Sequence, residues 1–293
     1  MRLVRRLLPE RLRDLRVKTL SSGPPGVAPS RHGAAVCWAG GGGPILELDP
    51  ARQEAELRAY LGDGYVHSRL QQYQKTLDAE FGACGDEERF YRTSEAYLYN
   101  LTAFAMTGTK LPYLRELVRR VPPGARLLDY GCGIGSDGLL LLDAGYRVEF
   151  ADYDNPSTAY LRWRLARRGI EAPIHDLDRD VPAGFDAAYA FDVIEHVPDP
   201  FAFLGEMEAR ARLVEVNLLE PEPGDQDLHH ELPIRDPMLH ASRRRLVHYR
   251  ILHRRSHLII YRSQAADPAQ RLTGLARLGA GRVRHAVGRR LRR

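Results

Sequence analysis

Short apolar segments alternate with amphipathic segments of helical period through the middle of the chain. The pattern predicts strands near 126–130, 147–152, 172–176, 186–191 and 211–218, with helices near 136–144, 156–168 and 200–209. Strands and helices that alternate in this way form a parallel sheet with helices on both faces. Two more β-rich runs, at 246–252 and 257–261, predict a pair of strands near the end of the chain. We therefore expect an α/β protein with a mostly parallel sheet.

The segment before the first strand is predicted to be helical. Asp49 is a candidate N-cap and precedes Pro50, a residue favoured at the first position of a helix. Glycines and acidic residues separate four predicted helices, at 50–61, 65–81, 87–105 and 110–120. We assign residues 49–120 to this helical segment and residues 121–265 to the α/β core.

The two ends of the chain differ from the core in composition. Residues 1–20 place leucines at mostly helical spacing among arginines, which predicts a basic amphipathic segment. Residues 21–48 are rich in glycine and proline, and we expect a disordered linker because this composition buries little apolar surface. Residues 266–293 contain several glycines and predict a weakly helical basic tail.

Charge is distributed unevenly along the chain. The net charge is +5, but residues 1–18 alone carry +5 and residues 271–293 carry +8, which leaves −8 on the rest. Basic ends of this kind can bind weakly to an anionic membrane, to nucleic acid or to an acidic partner. The alternative is that they are solvated and only aid solubility.

The sequence shows no sign of export. No apolar run approaches the roughly 18 residues of a membrane span, and the N-terminus lacks the continuous apolar region of a secretory signal. The three cysteines have no paired spacing that indicates a disulfide framework or a metal site. We therefore expect a cytoplasmic protein.

The most informative motif is the run from Leu127 to Gly135. An apolar pair leads into Asp129, and glycines follow at positions 131, 133 and 135 before a helical pattern begins. The run indicates a buried strand that turns sharply into a helix, with glycines where a Cβ would keep a ligand from the backbone. N–H groups at the start of a helix suit a polar or anionic ligand group. The alternative is a glycine-rich turn that binds no ligand.

Two further features follow in chain order. Asp152 ends the second predicted strand, 23 residues after Asp129, where an acid can accept hydrogen bonds from both hydroxyls of a ribose. The run 185–200 spans the fourth predicted strand and the loop after it, with Glu195 and His196 adjacent. Together these blocks resemble the class I S-adenosylmethionine-dependent methyltransferases, in their small-molecule O-methyltransferase branch.

The resemblance covers residues 110–220 and implies both a fold and a cofactor. The fold is a Rossmann-like, seven-stranded, mostly parallel sheet with helices on both faces, an antiparallel last strand and a helical N-terminal cap. The cofactor is S-adenosyl-L-methionine. The last two predicted strands match the antiparallel sixth and seventh strands of the family.

The resemblance also implies roles for single residues. Asp129 would orient the amino end of the cofactor's methionine part, and Asp152 would hold the ribose. Asp176 would bind the adenine amino group, with Asp154 and Asp178 as neighbouring alternatives, and Leu177 would supply a backbone N–H. The Phe191 carbonyl would contact the methionine part. The predicted cofactor-binding residues are Asp129, Gly131, Cys132, Gly133, Gly135, Asp152, Tyr153, Asp176, Leu177 and Phe191.

A nicotinamide-binding dehydrogenase is the main competing class. Gly133, Gly135 and Gly138 fit the dinucleotide fingerprint if its frame is moved by two residues. The strand should then run directly into the first glycine, whereas two residues intervene. This alternative also leaves the block at Glu195 unexplained.

Glu195 and His196 are the predicted catalytic residues. An imidazole titrates near neutral pH, so a histidine beside the transferred methyl group could take the proton of a hydroxyl acceptor. Their alternative role is to cap and orient the loop.

A metal-dependent mechanism is a further alternative. Carboxylates and imidazoles together can bind Mg²⁺ or Mn²⁺, which would lower the pKa of an acceptor hydroxyl. The arrangement is similar to that of small-RNA 2′-O-methyltransferases and some quinone-ring O-methyltransferases. The candidate ligands are Asp192, Glu195, His196, His229 and His230.

We therefore expect an enzyme that methylates a hydroxyl of a small-molecule acceptor, in preference to a nitrogen or carbon. The alternatives are an RNA 2′-O-methyltransferase with a divalent metal and a non-catalytic cofactor-binding module. The glycines of the turn, Asp152 and the Glu195–His196 pair argue against the non-catalytic module.

Overall fold

The computed structural model describes residues 46–221 and 234–290, which belong to one compact unit. The predicted basic segment 1–20 lies outside these residues, as does most of the predicted linker. The described end of that linker is packed, because Leu46 is buried in the same apolar cluster as Tyr113 and Leu114. Packed structure therefore begins before Asp49.

Seven strands form a single sheet in the described part of the chain. They are β1 (Arg126–Tyr130), β2 (Arg147–Asp152), β3 (Ile174–Asp176), β4 (Phe185–Ala190), β5 (Ala211–Leu219), β6 (Arg244–Leu252) and β7 (Ser256–Ala265). Their order in the sheet is β3-β2-β1-β4-β5-β7-β6. Strands β1 to β5 pair in parallel, and β7 is antiparallel to both of its neighbours. The predicted sheet and its antiparallel last strand are confirmed.

The α-helices of the described residues cover both faces of the sheet and form the amino-terminal cap. They are α1 (Pro50–Leu61), α2 (His67–Gln71), α3 (Tyr73–Cys84), α4 (Glu87–Thr93), α5 (Ala96–Met106), α6 (Leu111–Val118), α7 (Ser136–Asp143), α8 (Pro156–Arg168), α9 (Pro200–Arg210), α10 (Arg235–Arg243) and α11 (Pro268–Arg290). Adjacent residues of β1 point to opposite faces, and each lies in its own apolar cluster: Leu127 in one and Leu128 in the other.

Two predicted helices are each divided in the structure. The predicted helix 65–81 consists of α2 and α3, and the predicted helix 87–105 consists of α4 and α5. Glu80 explains the second break, because its Oε2 accepts hydrogen bonds from the Ser94 hydroxyl at 2.9 Å and from the Ala96 N–H at 3.2 Å. A new helix start is thereby capped by a carboxylate from α3. Helix α10 was not predicted.

The end of the chain is a long helix rather than the weakly helical tail that we predicted. Helix α11 packs on β6 through small residues and a buried Leu278. A Cβ added to Gly281 would lie 2.4 Å from Tyr249 Cδ1, so the helix can come this close to the strand only with glycine at that position. Glycines such as Gly281 would weaken α11 as an isolated helix, but in the folded protein they permit it to pack against β6.

A fully buried arginine connects the cap to the core. The Arg164 guanidinium, on α8, donates to Gln53 Oε1 at 2.7 Å, to Glu56 Oε2 at 2.9 Å and to the Ile134 carbonyl at 2.7 Å. Gln53 and Glu56 belong to α1, whereas Ile134 belongs to the glycine turn after β1. Arg168 and Arg52 also bind Glu56, so the buried carboxylate has three cationic partners. The pairing offsets the cost of burying these charges.

We predict that Arg164→Met lowers the free energy of unfolding by about 3–5 kcal/mol, because it leaves buried acceptors unpaired. Urea unfolding monitored by circular dichroism would measure the change. Arg162→Met is the matched control on the same helix, since its partner Asp154 is exposed. We expect the control to cost less than about 1 kcal/mol. Equal losses in the two variants would contradict the role of Arg164 as the link.

Candidate functional site

The predicted site lies at the carboxyl edge of the parallel strands. The strand order reverses between β1 and β4, and ligands of open α/β sheets bind in the crevice at such a point. The glycine turn that follows β1 and the loop that follows β4 both begin there. The sequence motifs therefore meet at one place in the fold.

The glycine turn is fixed by the protein's own packing. Gly131 and Gly133 have left-handed backbone angles, with φ of 78° and 52°. A Cβ on Gly131 would lie 2.8 Å from Val193 Cγ1, and a Cβ on Gly133 would lie 2.9 Å from Leu101 Cδ1. Gly135, the N-cap of α7, is enclosed in the same way by a neighbouring leucine. Neighbouring side chains therefore approach this turn as closely as a ligand would.

The turn also contains Cys132, whose backbone N–H donates to the Ala151 carbonyl at 3.2 Å. Burial raises the pKa of the Cys132 thiol well above its usual range, and the nearby acid Asp152 adds to the shift. A thiol held in this way is a poor nucleophile. We therefore assign Cys132 no reactive role.

The Asp152 carboxylate ties the glycine turn to the end of β2. Its Oδ2 accepts from the Gly133 N–H at 2.7 Å, and its Oδ1 accepts from the Tyr153 N–H at 2.7 Å. Burial raises the pKa of Asp152 to about 6, although these two hydrogen bonds act in the opposite direction. Each carboxylate oxygen has a further lone pair. Asp152 is therefore positioned and still able to accept hydrogen bonds from two hydroxyls.

Asp129 lies beneath the turn and is only 5% exposed. Its Oδ2 accepts from the Gly138 N–H at 3.1 Å, in the first turn of α7. Burial, with a contribution from Asp137, raises the pKa of Asp129 to about 8. Asp129 thus supports the start of α7, and its carboxyl group is also influenced by the neighbouring acid Asp137.

Lys110 is a central residue of the site that the sequence analysis missed. Its Nζ donates to the Phe191 carbonyl at 2.8 Å and lies 3.5 Å from Asp137 Oδ2 and 3.9 Å from Asp192 Oδ2. Burial alone would lower the pKa of Lys110, but the surrounding carboxylates outweigh it and raise the pKa. Lys110 is therefore a half-buried cation. It already binds the carbonyl that we predicted would contact the methionine part.

Four carboxyl groups act electrostatically on this ammonium group: Asp137 and Asp192, which form ion pairs with it, and Asp129 and Glu195. Burial, followed by repulsion from Asp192, raises the pKa of Glu195 to about 8. Within the described part of the chain, Asp192 Oδ2 and Glu195 Oε2 are buried without a hydrogen-bond partner. A positively charged ligand in this site would favour the ionised forms of Asp129 and Glu195, whose pKa values are raised by burial and by repulsion from neighbouring acids. We call these five residues the acidic cluster.

Asp192 has the left-handed backbone that is uncommon outside glycine, with a φ of 56°. Asn217 of β5 holds this conformation: its Oδ1 accepts from the Asp192 N–H at 2.8 Å, and its Nδ2 donates to Asp192 Oδ1 at 2.7 Å. Asn217 in turn donates to Ser256 Oγ at 3.1 Å. A strained backbone that is fixed by three neighbouring polar groups is common at functional sites.

His196 and Glu195 lie on a short 3₁₀ turn, Ile194–His196, after β4. They point to different surroundings. Glu195 is 3% exposed and belongs to the acidic cluster, whereas His196 Nδ1 lies 2.9 Å from the Tyr91 hydroxyl. Tyr91 is on α4, so the cap contacts the predicted catalytic histidine directly. No local pattern predicts this contact, because the two residues are 105 positions apart.

The predicted adenine side of the site differs from expectation at one residue. The Leu177 N–H donates to the Asp152 carbonyl at 3.1 Å, because the parallel pairing of β3 with β2 continues one residue further. It is therefore already used within the sheet. Asp176 Oδ1 accepts from the Asp178 N–H at 3.1 Å.

Helix α4 also reaches this side of the site. The Arg92 guanidinium donates to both oxygens of Asp178, at 2.7 Å and 3.1 Å. It also lies over the Tyr153 ring, 4.5 Å from the centroid. The cap therefore contacts the core on both sides of the crevice, through Tyr91 and through Arg92.

The metal hypothesis receives no support from residues 46–221 and 234–290. No group of three or more His, Cys, Asp or Glu side chains in these ranges has the arrangement of a metal site. Two of the predicted ligands, His229 and His230, lie outside the described residues. His196, a third, is engaged by Tyr91.

No helix among the described residues is long and apolar enough to cross a membrane.

Several known proteins resemble this chain. The ubiquinone biosynthesis O-methyltransferase of Xylella fastidiosa (strain 9a5c) is 35% identical over 106 residues, which cover 34% of this chain and 42% of that protein. The enzyme of the same name from Xanthomonas campestris pv. campestris (strain B100) is 30% identical over 105 residues, covering 34% and 43%. The chain thus matches less than half the length of these two relatives.

Among solved structures, the 1,6-didemethyltoxoflavin-N1-methyltransferase of Burkholderia thailandensis is 20% identical, with a TM-score of 0.46. The alignment covers 67% of this chain and 90% of that one. A structural similarity this low supports no conclusion about the family or function of this chain.

A match to a family model covers more of the chain than either relative does. Residues 106–265 match the model of a family described as a methyltransferase domain. The matched range includes the glycine turn, Asp152, the acidic cluster and all seven strands. The model spans more than half of the chain, and the order of its strands and motifs is the one predicted for class I S-adenosylmethionine-dependent methyltransferases. The chain belongs to the methyltransferase domain family.

Proposed function

We propose that this protein transfers the methyl group of S-adenosylmethionine to a hydroxyl of a small-molecule acceptor. The observation that carries the proposal is the acidic cluster beside the glycine turn, where one lysine faces four carboxyl groups. The two curated relatives are both named O-methyltransferases, which supports oxygen as the methylated atom. A cytoplasmic location and a quinone-like or other small acceptor are part of the same proposal.

The residues present fit the cofactor. When bound, S-adenosylmethionine supplies an electrophilic methyl group on a positively charged sulfur. Asp152 would accept hydrogen bonds from the ribose hydroxyls, and the half-buried Gly131 and Gly133 would border the methionine part. The unpartnered oxygens of Asp192 and Glu195 would stabilise positive charge. Asp176 and Tyr153 would border the adenine.

His196 would act as the general base. Bound S-adenosylmethionine would supply the methyl carbon to the acceptor oxygen and keep the electron pair of the carbon–sulfur bond, and the His196 imidazole would take the hydroxyl proton. We assign this proton to Nε2, since Nδ1 lies beside the Tyr91 hydroxyl. Nδ1 then carries a hydrogen that the Tyr91 oxygen accepts. Tyr91 would orient the ring, and the cap would exclude water from the reaction.

The other classes have less support. A nicotinamide-dependent oxidoreductase does not account for the match to a methyltransferase family. A metal-dependent RNA enzyme would require ligands that the described residues do not bring together. A non-catalytic module would not need His196 beside an ordered tyrosine of the cap. Mass spectrometry of cell extract incubated with the enzyme and isotope-labelled cofactor would identify the acceptor.

We predict that Gly131→Ala weakens the binding of S-adenosylhomocysteine at least tenfold, because its Cβ would collide with Val193 and shift the turn. Gly124→Ala is the matched control. Gly124 has a similar φ of 69° but nothing within 4 Å of an added Cβ. Both variants carry backbone strain of about 1–2 kcal/mol, so only the collision differs. Calorimetry that finds equal affinities in the two variants would contradict the proposed position of the cofactor.

We predict that the affinity for S-adenosylhomocysteine rises about tenfold between pH 5 and pH 7. Burial raises the pKa of Asp152 to about 6, and only the ionised carboxylate accepts both ribose hydroxyls. Asp152→Asn should remove this pH dependence and weaken binding by about 1.5–3 kcal/mol. Asp154→Asn, an exposed acid nearby, should keep it. Calorimetry over this pH range tests the role, and an unchanged profile in Asp152→Asn would exclude it.

We predict that His196→Ala lowers kcat about 10²–10⁴-fold and leaves cofactor affinity nearly unchanged. His67→Ala, an exposed histidine of the cap, is the control and should retain full turnover. A chelator should have no effect. If a chelator stops turnover and Mg²⁺ or Mn²⁺ restores it, the metal mechanism is correct instead. Full activity of His196→Ala would exclude both mechanisms.

A further inference from the structure

Helix α11 presents an apolar face to solvent. Leu272, Leu275, Val283 and Val287 are 69%, 44%, 63% and 50% exposed. At 3.6 residues per turn, these four side chains lie within about 60° of one direction around the helix. In the described part of the chain, the other large apolar side chains with comparable exposure are scattered singly: Val66, Tyr153 and Phe201. The exposed apolar surface is thus concentrated on one helix.

The orientation of this face is fixed by the opposite side of the helix. Leu278 is buried, and Gly281 lies against the Tyr249 ring of β6. The Arg277 guanidinium donates to the Leu246 carbonyl, also on β6. Helix α11 is therefore held to the sheet by one face, and the apolar stripe points away from it.

Exposed arginines border the apolar stripe on both sides. By helical spacing, Arg271 and Arg282 lie on one flank, and Arg284 lies on the other, next to Arg277, whose guanidinium is already bound to β6. Residues 268–293 contain no acid, so the charge of this surface has one sign. We propose that the outer face of α11 binds an anionic lipid surface. The proposal does not depend on the methyl-transfer reaction.

The charge pattern favours lipid over the other possible partners. An apolar stripe between arginines lies in the plane of a membrane, with its apolar side chains at the acyl boundary and its arginines at the lipid phosphates. A second copy of the chain would place arginines against arginines. Nucleic acid would bind the arginines but offer no apolar partner to the stripe. Of these three partners, only an anionic bilayer satisfies both the apolar stripe and its basic flanks.

The test uses flotation of the full-length protein with vesicles. We expect binding to vesicles that contain 30% phosphatidylglycerol in phosphatidylcholine, little binding to pure phosphatidylcholine, and release by salt. The triple variant Leu272→Ser, Val283→Ser and Val287→Ser should lower the partition coefficient at least tenfold. A charge variant, Arg271→Gln with Arg284→Gln, should also lower it. Deleting the helix is unsuitable, because it would uncover Leu246 and Tyr249.

The matched control is Val66→Ser with Phe201→Ser, which removes apolar side chains of similar exposure elsewhere. It should bind vesicles like the wild type. Thermal unfolding should be unchanged in every variant, since the replaced side chains are exposed. Equal binding by the triple variant, equal binding to pure phosphatidylcholine, or no binding by the wild type would overturn the proposal. The proposal would also be overturned if the wild type were a dimer that dissociates in the triple variant. It would be overturned as well if RNA bound the triple variant as strongly as the wild type and displaced no lipid.

Discussion

The ammonium group of Lys110 is the interaction on which the arrangement of the site depends. It joins the start of α6 to the loop after β4 through the Phe191 carbonyl, and it lies between Asp137 and Asp192. Without a cation there, burial of so many acidic groups would be costly. With only one cation, Lys110, the charges of these acidic groups are compensated incompletely. A positively charged ligand would therefore stabilise this site. The free energy needed to arrange its charged groups comes from folding of the protein and not from binding of the ligand.

Much of the fold could be predicted from local patterns. Alternating apolar strands and helices gave the sheet, because each core strand is buried on both faces and each intervening helix has one apolar side. Patterns failed where a distant residue decides the outcome. The break before α5 depends on Glu80, and the docking of α11 depends on the Tyr249 ring that its Gly281 meets. A glycine-rich sequence indicates a weak helix by propensity alone, and only the tertiary contact reverses this.

The candidate site was predictable only in part, for the same reason. The glycine turn and Asp152 carry motifs whose spacing is local, so both were found. Lys110, Tyr91 and Arg92 belong to the cap, and no spacing in the sequence connects them to the crevice. A lysine before a predicted helix is most often a solvated surface residue. Its partners became evident only when the fold placed four acids around it.

Contacts between the cap and the core also bear on how long a ligand stays. Arg92 of α4 reaches across the crevice to Asp178 and lies over the Tyr153 ring. Asp178 is exposed and Arg92 is half-buried, so salt weakens this ion pair. An enzyme that consumes one cofactor molecule per turnover must also release the spent one. Under the proposed function, this contact at the mouth of the crevice would have to break for α4 to open in each cycle, and it would then control the residence time of the product more than its affinity.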